Sequence, residues 1–107
     1  MEPAALVRRY YEALDEHSYD DLESILAHEF RQRRPDRTFE SREAFVRFMR
    51  KDRPNPNTSH ELEAVIAQDE RVAARGRVLD DGRVLFEYAD FFRIEGDRIV
   101  ALETYSR

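Results

Sequence analysis

The stretch Arg83-Val84-Leu85-Phe86-Glu87-Tyr88-Ala89-Asp90-Phe91-Phe92-Arg93-Ile94 decides the fold. In an extended chain, side chains alternate between two faces, so Val84, Phe86, Tyr88, Asp90, Phe92 and Ile94 share one side. One carboxylate thus lies among large apolar and aromatic groups. The opposite side, Leu85, Glu87, Ala89, Phe91 and Arg93, is itself half apolar. A sheet with one wet face alternates cleanly between apolar and polar residues, so this strand predicts a cover on both sides. A second copy of the chain on the outer sheet face is the simplest such cover, which predicts a homodimer.

On either side of this strand, turn chemistry at Gln68 to Glu70, Asp80-Asp81-Gly82 and Glu95-Gly96-Asp97 interrupts strand-like sequence. The breaks predict a four-strand meander: His60 to Ala67, Arg71 to Leu79, Arg83 to Ile94 and Arg98 to Tyr105. Upstream, Leu6, Val7, Tyr10, Ala13 and Leu14 recur at helical spacing between Pro3 and His17, with Arg8, Arg9, Glu12, Asp15 and Glu16 opposite. Ser18, with Asp21 three residues on, predicts a capped start for a second helix carrying Leu22, Ile25 and Leu26. Phe30 to Pro35 is charged and reads as a short edge segment. Ser41 then opens a third helix with Phe45, Phe48 and Met49, which Pro54 and Pro56 end. Three helices ahead of a mainly antiparallel sheet make an α+β architecture, and 107 residues suffice for one domain, 1–107.

Charged residues make up 38% of the chain and the net charge is -5. That balance opposes nonspecific binding to phosphate backbones or anionic lipid, so neither nucleic acid nor membrane is expected as a partner. With no cysteine there is no thiolate nucleophile, redox motif or thiolate zinc site, and a cytoplasmic location is expected. The three histidines lack the short spacing of a metal site, so no metal is expected. Arg31, Arg33, Arg34 and Arg37 form one short basic run that reads as a solvated edge. Alternation sets Arg31 and Arg33 on one side and Gln32 and Arg34 on the other, so only part of the run can face inward.

The stretches Leu6-Val7-Arg8-Arg9-Tyr10-Tyr11-Glu12-Ala13-Leu14, Tyr19-Asp20-Asp21-Leu22, Ala89-Asp90-Phe91-Phe92-Arg93-Ile94 and Asp97-Arg98-Ile99-Val100 bracket nearly the whole chain. In this order they resemble the SnoaL-like and ketosteroid isomerase-like branch of the nuclear transport factor 2 (NTF2-like) superfamily. The resemblance implies a cone: three helices packed on a curved, mainly antiparallel sheet around a pocket. It marks fold better than activity, because this scaffold hosts many chemistries. In the steroid isomerases, a helix tyrosine and a protonated strand aspartic acid form an oxyanion hole while a second aspartate moves the proton. The resemblance places Tyr10 and Asp90 in the first two roles. At the base position, just before Pro35, stands Arg34, which stays protonated and cannot take a proton from carbon. The standard steroid isomerase route is therefore not expected; Asp36 is the nearest substitute.

Two states of Asp90 remain open: a neutral acid donating a hydrogen bond, because burial disfavours its charge, or a carboxylate paired with an arginine, Arg34 first. Tyr10 lies on the buried stripe and its hydroxyl needs a partner or the pocket; Tyr11, one step round the helix, is expected at the rim or surface. Tyr88 shares Asp90's face, and Phe86 and Phe92 are expected to form apolar wall. His60, at a strand start, is a candidate base near neutral pH and a pocket residue, whereas His17 and His28 read as helix-closing residues. Two functions follow as expectations. One is a pocket for a small, mainly apolar molecule, acidic or carbonyl-bearing, with cofactor-free isomerase, cyclase or hydrolyase-type chemistry. The other is a noncatalytic dimeric binding or assembly module with a structural Asp90.

Overall fold

A computed structural model describes all residues, 1–107. Helix α1 (Pro3–Asp15) begins with Pro3 in the first turn, where its missing N–H is not needed, and ends at His17, whose positive φ of 60° turns the chain away. Helix α2 (Tyr19–Ile25) follows at once. Asp20 and Asp21 lie in its first turn, where their charge meets the positive end of the helix, but the Ser18 hydroxyl makes no capping hydrogen bond. Helix α3 (Arg42–Arg47) is capped by Ser41, which accepts from the Ala44 amide at 3.1 Å, and runs on into a π-helical turn, Phe48–Asp52. No helix is long and apolar enough to cross a membrane.

The strands are β1 (Leu26–Arg33), β2 (Thr38–Phe39), β3 (Thr58–Gln68), β4 (Arg71–Asp80), β5 (Arg83–Glu95) and β6 (Arg98–Ser106), in the sheet order β2-β1-β6-β5-β4-β3. The meander β3 to β6 forms as expected, each end within two residues of its predicted place. Its hairpins turn where predicted; Asp81 and Gly82 both take positive φ, which suits the right-handed twist of the strands they join.

β1 departs from expectation. Leu26 begins the strand instead of ending α2, and the strand is interior, antiparallel to β2 and parallel to β6. Leu26, Ala27, Phe30 and Gln32 are buried while His28, Glu29, Arg31 and Arg33 are exposed. The charges that suggested an edge belong to the outer face of a paired strand. His28 is likewise an exposed strand residue, not a helix terminus.

Register shifts in β3 beyond Leu62, in β5 at Leu85 and in β6 near Val100 bend the sheet, as extra residues in a ladder do. Helices pack into its concave side. Leu6, Leu22, Leu26, Phe30, Phe45, Ile94, Ile99 and Leu102 fill the closed end. Toward Tyr88 the helices and sheet diverge, leaving a hollow.

Candidate functional site

That hollow is a cavity of about 420 Å³, in the range of small-molecule pockets. Asp90 lies at its base, only 5% exposed, because its position in β5 points inward. Ala74 and Thr104 are its neighbours across the two ladders. The Tyr11 hydroxyl donates to Asp90 Oδ2 at 2.5 Å. Oδ1 has no partner of normal geometry. Burial raises the Asp90 pKa, opposed by the hydroxyls of Thr104 and Tyr11 and by the nearby His60 and Arg34 side chains. Asp90 forms no salt bridge. Arg34 faces the same cavity but its Nε pairs with Asp36 at 3.1 Å. Asp36 itself is not free to act as a base: slight burial raises its pKa, but Arg34, its own backbone and Arg37 win and lower it.

Both tyrosines of α1 are buried, so Tyr11 is not the rim residue that periodicity predicted. The helix lies deep enough in the cone that its buried arc covers both positions, which point about 100° apart. Tyr10 lines the cavity and its ring stacks on Phe45. Burial first, then Asp90, raises the pKa of Tyr10, while Arg34 pulls it down. The same two causes, with the hydrogen bond to Asp90, raise that of Tyr11. Phe92 is not wall. It lies beneath, edge-on to Tyr10 at 5.4 Å and Tyr11 at 6.0 Å, and so fixes both rings. Tyr88 lines the cavity at 5.7 Å from the Tyr11 ring, its hydroxyl covered and unpartnered. Phe86 does reach the cavity, together with Leu85, which alternation had put outside; the shift in β5 register brings both to the rim.

His60 also faces the cavity, and it is held from behind. Its ring Nδ1 lies 2.7 Å from Asp15 Oδ1 and its backbone amide donates to Asp15 Oδ2 at 2.9 Å. A carboxylate only accepts, so Nδ1 carries a proton, and in the neutral ring the lone pair is on Nε2. The imidazole lies 5.2 Å from the Tyr11 ring and 5.6 Å from the Tyr88 ring. His17 instead meets the Pro56 carbonyl at 2.6 Å, away from the site.

Asp15, Gln32, Arg53 and Thr104 complete the surroundings, none singled out by sequence. Gln32 is buried and its Nε2 donates to Thr104 Oγ1 at 2.8 Å. Its inward phase with Phe30 was readable once β1 was known to start at Leu26. Arg53 donates to the Pro56 carbonyl at 3.2 Å and has no carboxylate partner. Nothing in its sequence context marks it. The arrangement offers a polar floor, one imidazole and two guanidiniums around an otherwise apolar space.

The sequence matches the model of the SnoaL-like domain over residues 7–102. No curated protein matches. Among solved structures, an NTF2-like protein of unknown function from Cytophaga hutchinsonii superposes with a TM-score of 0.86 at 16% identity, covering 100% of this chain and 91% of that one. A candidate ketosteroid isomerase from Kribbella flavida gives 0.88 at 15% identity, covering 98% and 77%. An LEH-like epoxide hydrolase from M. tuberculosis gives 0.81 at 13% identity, covering 98% and 82%. At such identities these likenesses speak for the fold alone. With the family match running through nearly every element of the cone, the chain belongs to the SnoaL-like domain family, and its fold is the one shared with the NTF2-like structure.

Proposed function

We propose that this protein binds a small, mainly apolar molecule in the cone and moves a proton on it without an organic cofactor, as an isomerase, cyclase or hydrolyase would. One observation carries the reading: two hydrogen-bonded pairs, Tyr11–Asp90 and Asp15–His60, border a single cavity. His60 Nε2 would take the proton, with Asp15 fixing the tautomer and orientation. A neutral Asp90, held at Oδ2 by the Tyr11 hydroxyl, would polarise a ligand oxygen by donating from Oδ1, with Tyr10 and Tyr88 as further hydroxyls beside it. Phe86 would shape the apolar wall and Arg34 attract an acidic substituent. His60 would thus supply the base that Arg34 cannot be.

The test is a thermal-shift screen of small carbonyl compounds and carboxylic acids, followed by NMR of each hit in D2O. Exchange at the carbon beside the carbonyl is expected, with loss in His60→Gln and strong slowing in Asp90→Asn and Tyr11→Phe. Exchange that survives all three removes these residues from the chemistry. Enclosure of Asp90 Oδ1 and the Tyr88 hydroxyl favours a second reading, a noncatalytic binding module in which Asp90 is structural. Ligand stabilisation with no exchange selects it. In either case we infer a homodimer through the outer sheet face, supported by Ile66, Phe91 and Tyr105, which are 68%, 51% and 54% exposed there.

A further inference from the structure

Buried side-chain polar atoms are nearly always paired, because each orphan forfeits its hydration without return. In this chain the unpaired ones are Gln32 Oε1, Arg53 Nε, Tyr88 Oη and Asp90 Oδ1, and every one belongs to a residue that lines the cavity. No other buried side-chain nitrogen or oxygen lacks a partner. Such clustering gathers at one cavity the side chains with hydrogen-bonding capacity to spare for a ligand.

The orphans divide by chemistry. Arg53 Nε is a charged donor and asks for an acceptor, best an anion. It has company: Arg34 borders the same cavity, its guanidinium 5.9 Å from the Phe39 ring and 6.0 Å from that of Phe48. Asp36 takes up one side of Arg34, whereas Arg53 meets no carboxylate at all. This is notable in a chain with 23 acidic against 18 basic residues, where acids are plentiful. Both guanidiniums also act on the hydroxyl of Tyr10, lowering a pKa that burial and Asp90 raise, so the three groups share one neighbourhood. Gln32 Oε1 is an acceptor and asks for a donor. Its amide is anchored through Nε2 to Thr104, the residue across the ladder from Asp90. The donor it needs would therefore come to the Asp90 end of the cavity.

We propose that the cavity takes a small hydroxy acid, its carboxylate held by Arg34 and Arg53 and its hydroxyl donating to Gln32 beside Asp90. This rests on the ligand-binding reading above and names its substrate class. The orphan atoms are covered in the free chain, so engagement takes modest rotation of the Arg53 guanidinium and the Gln32 amide. The overall negative charge works against an anion at long range; the two arginines act locally, which makes affinity for the acid fall as salt rises.

Four probes on one ring test it by calorimetry with the full chain: mandelate carries both groups, phenylacetate the carboxylate, benzyl alcohol the hydroxyl, and toluene neither. Mandelate is expected to bind about tenfold or more tighter than benzyl alcohol, as a charge-assisted contact warrants. Arg53→Gln is expected to reduce that difference severalfold, and Gln32→Met to erase the advantage of mandelate over phenylacetate. The probe comparison on the unaltered chain stands even where a variant fails to fold. Equal binding of all four, or tightest binding of toluene, overturns the hydroxy-acid class and leaves the small-molecule reading intact. No binding by any probe counts against both.

Discussion

Asp15 holds His60 at two points, its ring Nδ1 at 2.7 Å and its backbone amide at 2.9 Å, across 45 residues of sequence. Asp15 ends α1, where a negative charge meets the negative end of the helix dipole and is disfavoured. The two bonds to His60 are what that placement gains. Removing both with Asp15→Ala is expected to cost roughly 2–3 kcal/mol in urea unfolding, since hydrogen bonds to charged groups are the stronger ones. His60→Gln keeps the backbone bond and should cost clearly less. Equal losses would mean that the ring bond, not the amide, ties the helix to β3.

Asp90 gives a pH-dependent prediction. Its folded pKa is raised, chiefly by burial, so the folded state holds its proton more tightly than the unfolded chain does. The penalty is absent below the unfolded value of about 3.9, where both states are protonated, and grows to its full size as pH rises through the higher folded value. Asp90→Asn keeps an acceptor for Tyr11 and removes the charge. It should leave stability nearly unchanged near pH 3.5 and raise it by about 1 kcal/mol or more at neutral pH, the scale of an unsatisfied buried group. Urea melts at the two pH values read the sign directly.

Gly76 sets the position of Tyr88. A Cβ there would collide with the Glu61 carbonyl oxygen, which is backbone, and lie 2.6 Å from the Tyr88 hydroxyl. The phenol can swing aside, but the clash with the carbonyl is relieved only by a shift of the β3 backbone. Gly76→Ala should destabilise the fold by about 1–3 kcal/mol, as overpacking does, and shift the Tyr88 ring toward the cavity. Ligands found by thermal shift should then bind more weakly, an effect that measured affinity at a temperature well below melting separates from instability.

Phe91→Glu addresses the outer sheet face. The side chain is half exposed and lies 5.8 Å from the Tyr105 ring, so the substitution should alter monomer stability by no more than about 0.5 kcal/mol. Light scattering coupled to size exclusion should report a dimer for the native chain and a monomer for the variant. A native monomer removes the proposed pairing.

The four-strand meander, its turns and the stripe of α1 were legible because each is a local property. Alternation from Tyr88 to Ile94 and the spacing of Leu6, Tyr10 and Leu14 depend only on neighbours along the chain. β1 was misjudged as an edge because whether charged side chains such as Arg31 and Glu29 line an edge or an outer face depends on β6, which follows some 60 residues later. The site was legible only in part: the inward phase of Asp90 could be read, its partner could not. Tyr10 and Tyr11 are adjacent, and which of them meets the acid is set by how far α1 rotates about its axis as the whole core closes around it. The sequence by itself therefore determined the meander, the first helix and the face that Asp90 occupies. Tertiary structure decided that Tyr11 joins Asp90, that Asp15 joins His60 and that Arg53 reaches the cavity, because each meeting depends on long-range packing that no local pattern encodes.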